Sequence, residues 1–467
     1  MSQARSDKLP FGVKFFYGGA EFANSMIYTV FYTFGMFFFT DVARLSPAFA
    51  GFLVMAGTLW DAFADPIIGV ISDHSRSRWG RRRPFLLGIA APFGLASWLL
   101  FTDFSLSPFW SQVYFLVIVL GWFTTYALLT VPYYSLIAEM TPDYNERTSL
   151  VSYQAAWSQV ASIIGGGATL VMAQYFARLW GSDKLGWSGM AAVLGLAAVP
   201  LTLLTWRVTR GYELFPQNTR IRFQDVYEAT FKNRPFIYTM GLYTFGMIGM
   251  SVASGFGIYF MKYYMGFNEA QSSLAFGLLF GGTILWIPLI SFISNRWGKQ
   301  WAYNISMGVW AAMQGIGILL LKPGMNLLFY FGMFIGSGGF VAIFLLGWSM
   351  LPDVIEVDEF KTGQRREGLY QGIFSFVQKA ACAPVLGLNG LILKWIGYVA
   401  DAPQSQGTLL GIRILFSWGV ALFVIIGIIF CILLPMTKKR HDALRLAIRL
   451  KKEGKEYDAK SLEALLR

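Results

Sequence analysis

Long apolar stretches recur along almost the whole chain, and they restrict it to one kind of fold. Of its 467 residues, 55% are hydrophobic and 14% are charged, whereas about 25% of residues are charged in soluble domains. About twenty apolar residues are enough for a helix to cross a bilayer. We place the predicted spans at 13–40, 48–72, 84–102, 109–139, 148–177, 187–206, 235–264, 270–295, 301–321, 326–351, 367–397 and 409–434. The sequence therefore predicts an all-α membrane protein with twelve transmembrane helices.

Positive charge is concentrated in alternate loops between these spans. The net charge is +12, and an excess of Lys and Arg marks cytoplasmic loops. The loops after predicted spans two, six, eight and ten carry Arg76, Arg78, Arg81, Arg82, Arg83, Arg207, Arg210, Arg220, Arg222, Lys232, Arg234, Arg296, Lys299, Lys361, Arg365 and Arg366. The intervening loops carry only a few basic residues, such as Arg44, Lys184, Lys262 and Lys322. We therefore expect both termini in the cytoplasm and no nucleic-acid partner.

The sequence lacks the patterns of an enzyme or of a cofactor-binding protein. The two cysteines, Cys382 and Cys431, lie in apolar stretches, and the two histidines, His74 and His441, lie in predicted cytoplasmic segments. No zinc, haem or iron–sulfur spacing is present, and neither is a Gly-rich phosphate loop. We expect no cofactor, no enzymatic activity and no ATP-driven transport by this chain.

The chain repeats itself at an interval of about 215 residues. Trp79-Gly80, after predicted span two, corresponds to Trp297-Gly298, after span eight. The segment that leaves span four from Tyr134 corresponds to the segment that leaves span ten from Trp348. Two related bundles with a site between them are typical of secondary transporters.

The repeat predicts four parts of the chain. These are a six-helix bundle at 1–207, a cytoplasmic linker at 208–234, a second, pseudo-symmetric six-helix bundle at 235–437 and a cytoplasmic tail at 438–467. We expect the tail to form a short helix on the inner leaflet, with its apolar side made by Leu444, Ala447, Ile448 and Leu450.

Asp61 and Asp65 lie four residues apart inside predicted span two, so both carboxylates share one helical face. Each charge at mid-membrane costs about 3 kcal/mol on insertion scales. Two carboxylates about 6 Å apart repel by about 3 kcal/mol at an effective dielectric of about 20. A proton or a metal cation that neutralises the pair removes this repulsion, which is what an ion-coupled transporter requires. The alternative is a pair of helix-end acids that cap a loop.

Two further ionisable residues lie deep in predicted spans. Glu21 is flanked by glycine and alanine in span one, and Lys379 lies within span eleven. Intramembrane ionisable groups need partners and mark solute or ion pathways. We expect both to join Asp61 and Asp65 in one mid-membrane cluster. For Lys379, a structural ion pair that fixes span eleven to span one or two stays open as an alternative.

Polar and aromatic residues form a second group of candidates. Rings that cover apolar faces and donors that orient a ligand suit sugar or amphiphile binding. Spans four, five and eleven offer Tyr126, Thr130, Tyr133, Tyr134, Tyr153, Gln154, Trp157, Ser158, Tyr370, Gln371, Ser375 and Gln378. We select Thr130, Tyr134, Gln154 and Trp157 as substrate-binding candidates, although packing explains any one of them equally well.

Several motifs resemble one transporter family over nearly the whole chain. They are Trp60-Asp-Ala-Phe-Ala-Asp-Pro-Ile-Ile-Gly69, Arg76-Ser-Arg-Trp-Gly-Arg81, Tyr32 to Ser46, Val131-Pro-Tyr-Tyr-Ser135, Arg366-Glu-Gly-Leu369, and Lys379 with Ile396-Gly-Tyr-Val399. On these motifs the chain resembles the glycoside–pentoside–hexuronide:cation symporter family, the melibiose-permease-like branch of the major facilitator superfamily. The resemblance implies twelve helices and alternating access driven by Na⁺ or H⁺, here in a bacterial inner membrane.

The resemblance also implies roles for single residues. Asp61 and Asp65 match the acids of the family's cation site, where they would bind Na⁺ or H⁺. Glu21 matches an acid that contacts the sugar, and Lys379 matches a lysine of helix eleven. In the cytoplasmic loops we select Asp73, Arg78, Arg81, Arg366 and Glu367 as gating candidates.

The chain departs from the family pattern at five positions. Thr130, Ala155 and Ala20 replace charged residues of the sugar site, and Ala64 and Ala127 replace an asparagine and a threonine of the cation site. The loss of neutral oxygen ligands favours H⁺ slightly over Na⁺.

Three functions follow from these observations. The main prediction is a symporter that imports a small glycoside, sugar or sugar acid, and we expect it to be a monomer. The alternative is a cation-coupled carrier of an amphiphile such as a lysolipid, because charges of the sugar site are missing. A third possibility is a non-transporting sensor built on a transporter fold.

Overall fold

The computed structural model describes residues 9–75, 77, 79–141, 143–212, 233–363, 366–453, 455–456, 462 and 465. Within these ranges the chain is mostly α-helical and contains no β-strand. Arg78 and residues 213–232, most of the predicted linker, lie outside the described residues.

Twelve successive helical segments and a tail helix follow one another along the described chain. They are α1 (Phe11–Phe37, continued by a π-helical turn at Phe38–Val42), α2 (Pro47–His74), α3 (Arg83–Leu100), α4 (Pro108–Met140), α5 (Tyr144–Gly167, continued by Thr169–Trp180), α6 (Asp183–Val208), α7 (Arg234–Tyr259, with a π-helical turn at Phe260–Tyr264), α8 (Glu269–Trp297), α9 (Lys299–Ala312, Met313–Gly317 and Ile318–Leu320), α10 (Asn326–Val341, Ala342–Leu346 and Gly347–Thr362), α11 (Glu367–Trp395), α12 (Gln406–Ile414, Leu415–Gly419 and Val420–Leu433) and α13 (Lys438–Lys452).

Length and hydropathy assign most of these helices to the membrane. Ten of the described helices are long and apolar enough to cross a bilayer, and α5, which bends by 46° between its two parts, is an eleventh. Helix α9 does not pass the same criterion, and it contains Trp, Tyr, Asn, Gln and Gly among its apolar residues. The predicted count of twelve spans is consistent with this architecture.

Local sequence sets where several helices begin. Ser46 accepts a hydrogen bond from the backbone N–H of Phe49, and Pro47 follows at the first helical position of α2. Asp143 caps α5 in the same way by accepting from the N–H of Glu146 at 2.8 Å. These side chains satisfy backbone N–H groups that have no partner within the helix, so they stabilise each helix at its first turn.

The described residues fall into two compact units. The first comprises those within Met1–Asn218 together with Phe267–Phe280 and Leu386–Ser405. The second comprises those within Thr219–Gly266, Gly281–Val385 and Gln406–Arg467. Helices α1 to α6 belong to the first unit.

The internal repeat has a counterpart in the backbone. Gly80 and Gly298, the glycines that follow the two tryptophans, have positive φ angles of 93° and 98°. Helices α1 and α7 both end in a π-helical turn, followed two residues later by a left-handed residue, Arg44 at φ 59° and Gly266 at φ 72°. Since only glycine adopts this region without strain, Arg44 is the strained member of this equivalent pair.

The tail helix differs in position from its prediction. It forms over Lys438–Lys452, but Leu444 and Ala447 are buried within the protein. Two of the four predicted apolar residues thus pack on protein, while Ile448 and Leu450 are partly buried.

Candidate functional site

The two aspartates of α2 lie in the first unit, on one face of the helix. Asp61 is 1% exposed and Asp65 is partly buried. One turn before Asp61, Thr58 is also buried, and its hydroxyl lies 3.1 Å from that of Tyr32 on α1. Burial of a carboxylate in a membrane helix is costly, so this face of α2 is the candidate for the predicted cation site.

The surroundings of the aspartates are apolar on one side. Ala64 and Ile68 of α2 form a buried cluster with Ala127 of α4, and Leu128 and Val131 pack against it. The side chains at positions 64 and 127 therefore supply methyl groups and no oxygen atoms. Within the described part of the chain, no group of three or more His, Cys, Asp or Glu residues could hold a metal ion.

Glu21 lies at the centre of a polar network between α1 and α5. Its carboxylate is 5% exposed and accepts hydrogen bonds from Ser25 Oγ at 2.7 Å and from Gln154 Nε2 at 3.0 Å. Ser25 also lies 2.7 Å from the hydroxyl of Ser158. Two oxygens of one acid are thus held by neutral donors, which fixes the orientation of the carboxylate without cancelling its charge.

The network extends to Tyr134 of α4. Asn24 Nδ2 donates to the Tyr134 hydroxyl at 3.4 Å, and the buried Oδ1 of Asn24 has no hydrogen-bond partner among the described residues. Tyr134 is 43% exposed. The ring and hydroxyl of Tyr134 and the amide oxygen of Asn24 therefore lie beside Glu21.

Three tyrosines connect the network of Glu21 with the aspartates of α2. The ring of Tyr28 lies 4.4 Å from that of Tyr32 and is stacked on Tyr126 at 5.4 Å. The hydroxyl of Tyr32 in turn lies 3.1 Å from that of Thr58, one turn before Asp61. Because Glu21, Tyr28 and Tyr32 follow one another at spacings of seven and four residues, they lie along one stripe of α1.

Two of the predicted substrate residues have their hydrogen-bond donors engaged within the protein. The Thr130 hydroxyl donates to the carbonyl of Tyr126 at 3.0 Å. The indole N–H of Trp157 donates to the carbonyl of Phe15 at 2.8 Å, and its ring packs so closely on Gly18 that a Cβ there would lie 1.9 Å from it. Of the other candidates, Gln154 and Tyr134 lie beside Glu21, whereas Lys379 lies in the second unit.

A charged cluster follows α2 at the end of the helix beyond the aspartates. Glu139 of α4 is fully buried and accepts from Arg81 Nη2 at 2.6 Å and from Arg81 Nε at 3.1 Å. Arg82 lies 3.3 Å from the same oxygen and also pairs with Asp73 at 2.6 Å. The predicted loop residues Asp73 and Arg81 are therefore brought together here.

The second unit holds the equivalent pair of the repeat. Lys299 follows Gly298 as Arg81 follows Gly80, and it pairs with Asp353 at 2.7 Å. Nearby, Arg366 donates twice to Asp358, at 2.7 and 2.9 Å. Glu367, the remaining predicted loop residue, begins α11 and is exposed.

A family model described as MFS/sugar transport protein matches residues 16–438. The chain belongs to this family of transporters.

Known relatives and solved structures agree with this assignment. A Synechocystis sp. protein named as the uncharacterized symporter sll1374 is 29% identical over 97% of this chain and 99% of its own length. The isoprimeverose transporter of Lactiplantibacillus pentosus is 27% identical over 89% of this chain and 87% of its own. The crystal structure of a D-xylose–proton symporter superposes with a TM-score of 0.62 at 15% identity, covering 91% of this chain and 96% of that one, which shows the shared fold.

Several residues that the structure places beside the candidates were not selected from the sequence of this MFS transporter. Ser25 and Tyr28 carried no signal of their own, because isolated hydroxyl and aromatic residues are common in the chain. The helical spacing from Glu21 was the available signal, since positions four and seven residues later lie on its face. Glu139 was not selected either. Only the equivalent positions of Arg81 and Lys299 in the internal repeat indicate that an acid on α4 should pair with Arg81.

Proposed function

We propose that this protein of the MFS/sugar transport family is a symporter that imports a sugar or small glycoside together with H⁺. It would work in a bacterial inner membrane with both termini in the cytoplasm. The observation that carries the proposal is the track in the first unit that runs along one stripe of α1 from Glu21 through Tyr28 to Tyr32, whose hydroxyl lies 3.1 Å from that of Thr58, one turn before Asp61. We also propose that the bundles extend over 1–207 and 235–437, with the linker at 208–234 and the tail at 438–467.

The track suits a polyhydroxylated ligand. A carboxylate held by neutral donors can accept hydrogen bonds from sugar hydroxyls, and charge-assisted hydrogen bonds are the stronger kind. Tyrosine rings cover the apolar face of a sugar ring while their hydroxyls orient it. We assign substrate contacts to Glu21, Gln154 and Tyr134, with Tyr28 and Tyr126 as the aromatic wall, and Lys379 stays a candidate.

Thr130 and Trp157 have smaller roles in this proposal. Their donors are satisfied within α4 and by α1. A group that already donates to a backbone carbonyl gains little by turning to a ligand. We therefore assign them to positioning Tyr126 and α1.

The surroundings of Asp61 and Asp65 favour H⁺ as the coupling ion. Hard cations such as Ca²⁺ and Mg²⁺ take about six or more oxygen ligands, and Na⁺ also relies on several oxygens. The packed methyl groups of Ala64 and Ala127 supply none. A proton needs a single carboxylate and removes the repulsion within the pair.

The comparisons do not support the alternative of a lysolipid carrier. The Synechocystis relative is named as a symporter, and the Lactiplantibacillus relative is named as an isoprimeverose transporter. The track beside Glu21 also combines a buried carboxylate with amide and hydroxyl groups, which would cost free energy if it faced an acyl chain.

Uptake by proteoliposomes tests this function. Radiolabelled sugars, beginning with isoprimeverose, are offered under an imposed pH gradient without Na⁺, under a Na⁺ gradient at equal pH, and with both gradients collapsed. We expect accumulation with the pH gradient alone. Accumulation driven by Na⁺ alone would refute the choice of ion, and uptake that is independent of both gradients would refute symport.

Three substitutions assign the residues. Asp61→Asn and Asp65→Asn should each abolish accumulation, because the remaining carboxylate no longer experiences the repulsion that favours uptake of a proton by the pair. Glu21→Gln should lower sugar binding, measured as loss of thermal stabilisation by the sugar. Asp183→Asn is the charge-matched control, since Asp183 is exposed in the first turn of α6. Full accumulation by both α2 variants would remove their assigned role.

A further inference from the structure

The tail helix α13 lies against the last part of α10, Gly347–Thr362, within the second unit. Leu444 and Ala447 are buried there. Near its C-terminal end, Lys451 donates to the carbonyl of Phe360 at 2.8 Å and lies over that ring at 4.7 Å. The apolar contact of α13 is therefore short, and polar contacts hold both of its ends.

His441, in the first turn of α13, makes the polar contact at the other end. Its Nε2 lies 3.0 Å from Glu356 Oε2 and 3.6 Å from Asp353 Oδ1, both on α10. All three side chains are mostly buried. A protonated imidazole between two carboxylates is bound by charge as well as by hydrogen bonding.

The charged groups that face His441 come from three helices. Asp353 and Glu356 belong to α10, and Lys299 of α9 pairs with Asp353 at 2.7 Å. Within α13 itself, Arg445 approaches Glu356 at 4.0 Å. Asp353 and Glu356 therefore face the imidazole. Lys299 of α9 pairs with Asp353, and the exposed Arg445 lies beside Glu356.

A cavity of about 240 Å³ lies beneath the start of α13. It is lined by side chains of α8, α9, α10 and α13, among them Asn295, Lys299, Asp353 and His441. The first turn of α13 therefore borders open space, and if the contacts of His441 were lost, the short apolar contact of Leu444 and Ala447 and the contacts of Lys451 would remain to hold the helix.

We propose that α13 is a pH-released strap, which protonated His441 holds on the acidic pair Asp353 and Glu356 and which leaves α10 when His441 loses its proton.

The direction of the pH response follows from the contacts of His441. The hydrogen bond to Glu356 raises the pKa of His441 above its ordinary value, burial lowers it, and the charges of Asp353 and Glu356 raise it. A raised pKa means that docking is at full strength below the ordinary pKa of histidine, about 6.5. Docking weakens as pH rises through the raised pKa.

The strap also has a consequence for transport, and this part rests on the proposed function. A docked α13 joins α9 and α10 through Lys299, Asp353 and His441, so it resists rearrangement of that end of α10. Import of H⁺ lowers the internal pH and restores the proton of His441. The strap would thus slow the transporter when the cell interior becomes acidic.

Electron paramagnetic resonance of a spin label tests the strap without any transport assay. The label is placed at Leu446→Cys, because Leu446 is 57% exposed, while the native Cys382 and Cys431 are buried. In the full-length protein we expect an immobile spectrum at pH 6 and a mobile one at pH 9. The ratio of mobile to immobile spins should rise about tenfold for each unit by which the pKa is raised.

Substitutions identify the group that titrates. His441→Gln should remove the pH dependence, and His441→Lys should keep the label immobile to pH 9. Glu356→Gln should lower the midpoint, and it serves as the second variant if a change at His441 prevents folding. His74→Gln is the matched control, since His74 is the other histidine and bonds to the carbonyl of Val70 within α2.

Each outcome decides the proposal. A transition that disappears in His441→Gln and persists in His74→Gln supports it. A label that is equally mobile at pH 6 and pH 9, or a transition that survives in His441→Gln, overturns it. For the transport consequence, His441→Lys at internal pH 8 should show the uptake rate of the unaltered protein at internal pH 6, and an unaltered rate would refute regulation while leaving both the strap and symport intact.

Discussion

Replacing Glu139 by Gln tests whether the cluster at the end of α2 holds the first unit together. The Glu139 carboxylate is fully buried and faces two guanidinium groups, with its shortest contact to Arg81 at 2.6 Å. Glutamine has a similar size but no charge, so the substitution leaves buried positive charge uncompensated. Breaking a buried ion pair in this way costs about 3–5 kcal/mol, and we expect a loss of that size.

The equivalent pair in the second unit supplies a matched control. In Asp353→Asn the pair with Lys299 is lost, but 35% of the Lys299 side chain is exposed and its amine also donates to the carbonyl of Ser349 at 2.7 Å. The amine keeps a carbonyl and water as partners. Because the Lys299 end of this pair reaches solvent, Asp353→Asn should cost less than Glu139→Gln.

Unfolding of the purified protein by titration with SDS in detergent micelles measures both losses. The double variant Arg81→Gln/Glu139→Gln lacks one of the cations that Glu139 would otherwise neutralise. Its loss of unfolding free energy should therefore be smaller than the sum of the losses in the two single variants. Contacting residues usually couple by about 0.5–3 kcal/mol. Equal losses for Glu139→Gln and Asp353→Asn, or an additive double variant, would refute the reasoning.

Further predictions concern a buried hydrogen bond, a close helix contact and the left-handed residues that follow α1 and α7. Tyr398→Phe removes a buried hydrogen bond of 2.6 Å to the Asp41 carboxylate, so stability should fall by about 1.5–3 kcal/mol; an unchanged SDS midpoint would contradict this. Gly390→Ala places a Cβ 2.2 Å from a backbone oxygen of α2, and because backbone cannot move aside, the apparent melting temperature should fall clearly, whereas Ala at an open glycine should have little effect. Arg44→Gly removes a left-handed backbone strain of about 1–2 kcal/mol and loses an exposed ion pair that contributes about 0–1 kcal/mol. It should therefore be neutral or stabilising, while Gly266→Arg should destabilise the protein. The opposite order of stabilities would refute the strain at Arg44.

The membrane class and much of the repeat were readable from the sequence, because both depend on local properties. Apolar length decides whether a helix can cross a bilayer, and no knowledge of neighbouring helices is needed. Trp79-Gly80 and Trp297-Gly298 could be matched in sequence, and both glycines have the positive φ that such a turn requires. The shared face of Asp61 and Asp65 likewise follows from helical spacing alone.

The partners of the site residues were decided only by tertiary structure. Gln154 lies beside Glu21 although the two are 133 residues apart, and Trp157, one turn later on α5, donates to a backbone carbonyl instead. The sequence presents both as polar or aromatic residues on one helix and gives no reason to separate them. Which one faces a ligand depends on how α5 is rotated against α1.

The same limit applies to the tail. Its amphipathic pattern was visible in the sequence, and it predicted a helix with one apolar side. Whether Leu444 would face lipid or protein was not visible, and neither was the pairing of His441 with Glu356. The sequence by itself determined where the chain is helical and where it crosses the membrane, because hydrophobic length and helical period act within one segment. Tertiary structure decided which polar groups meet, because those contacts join residues brought together only when the helices pack.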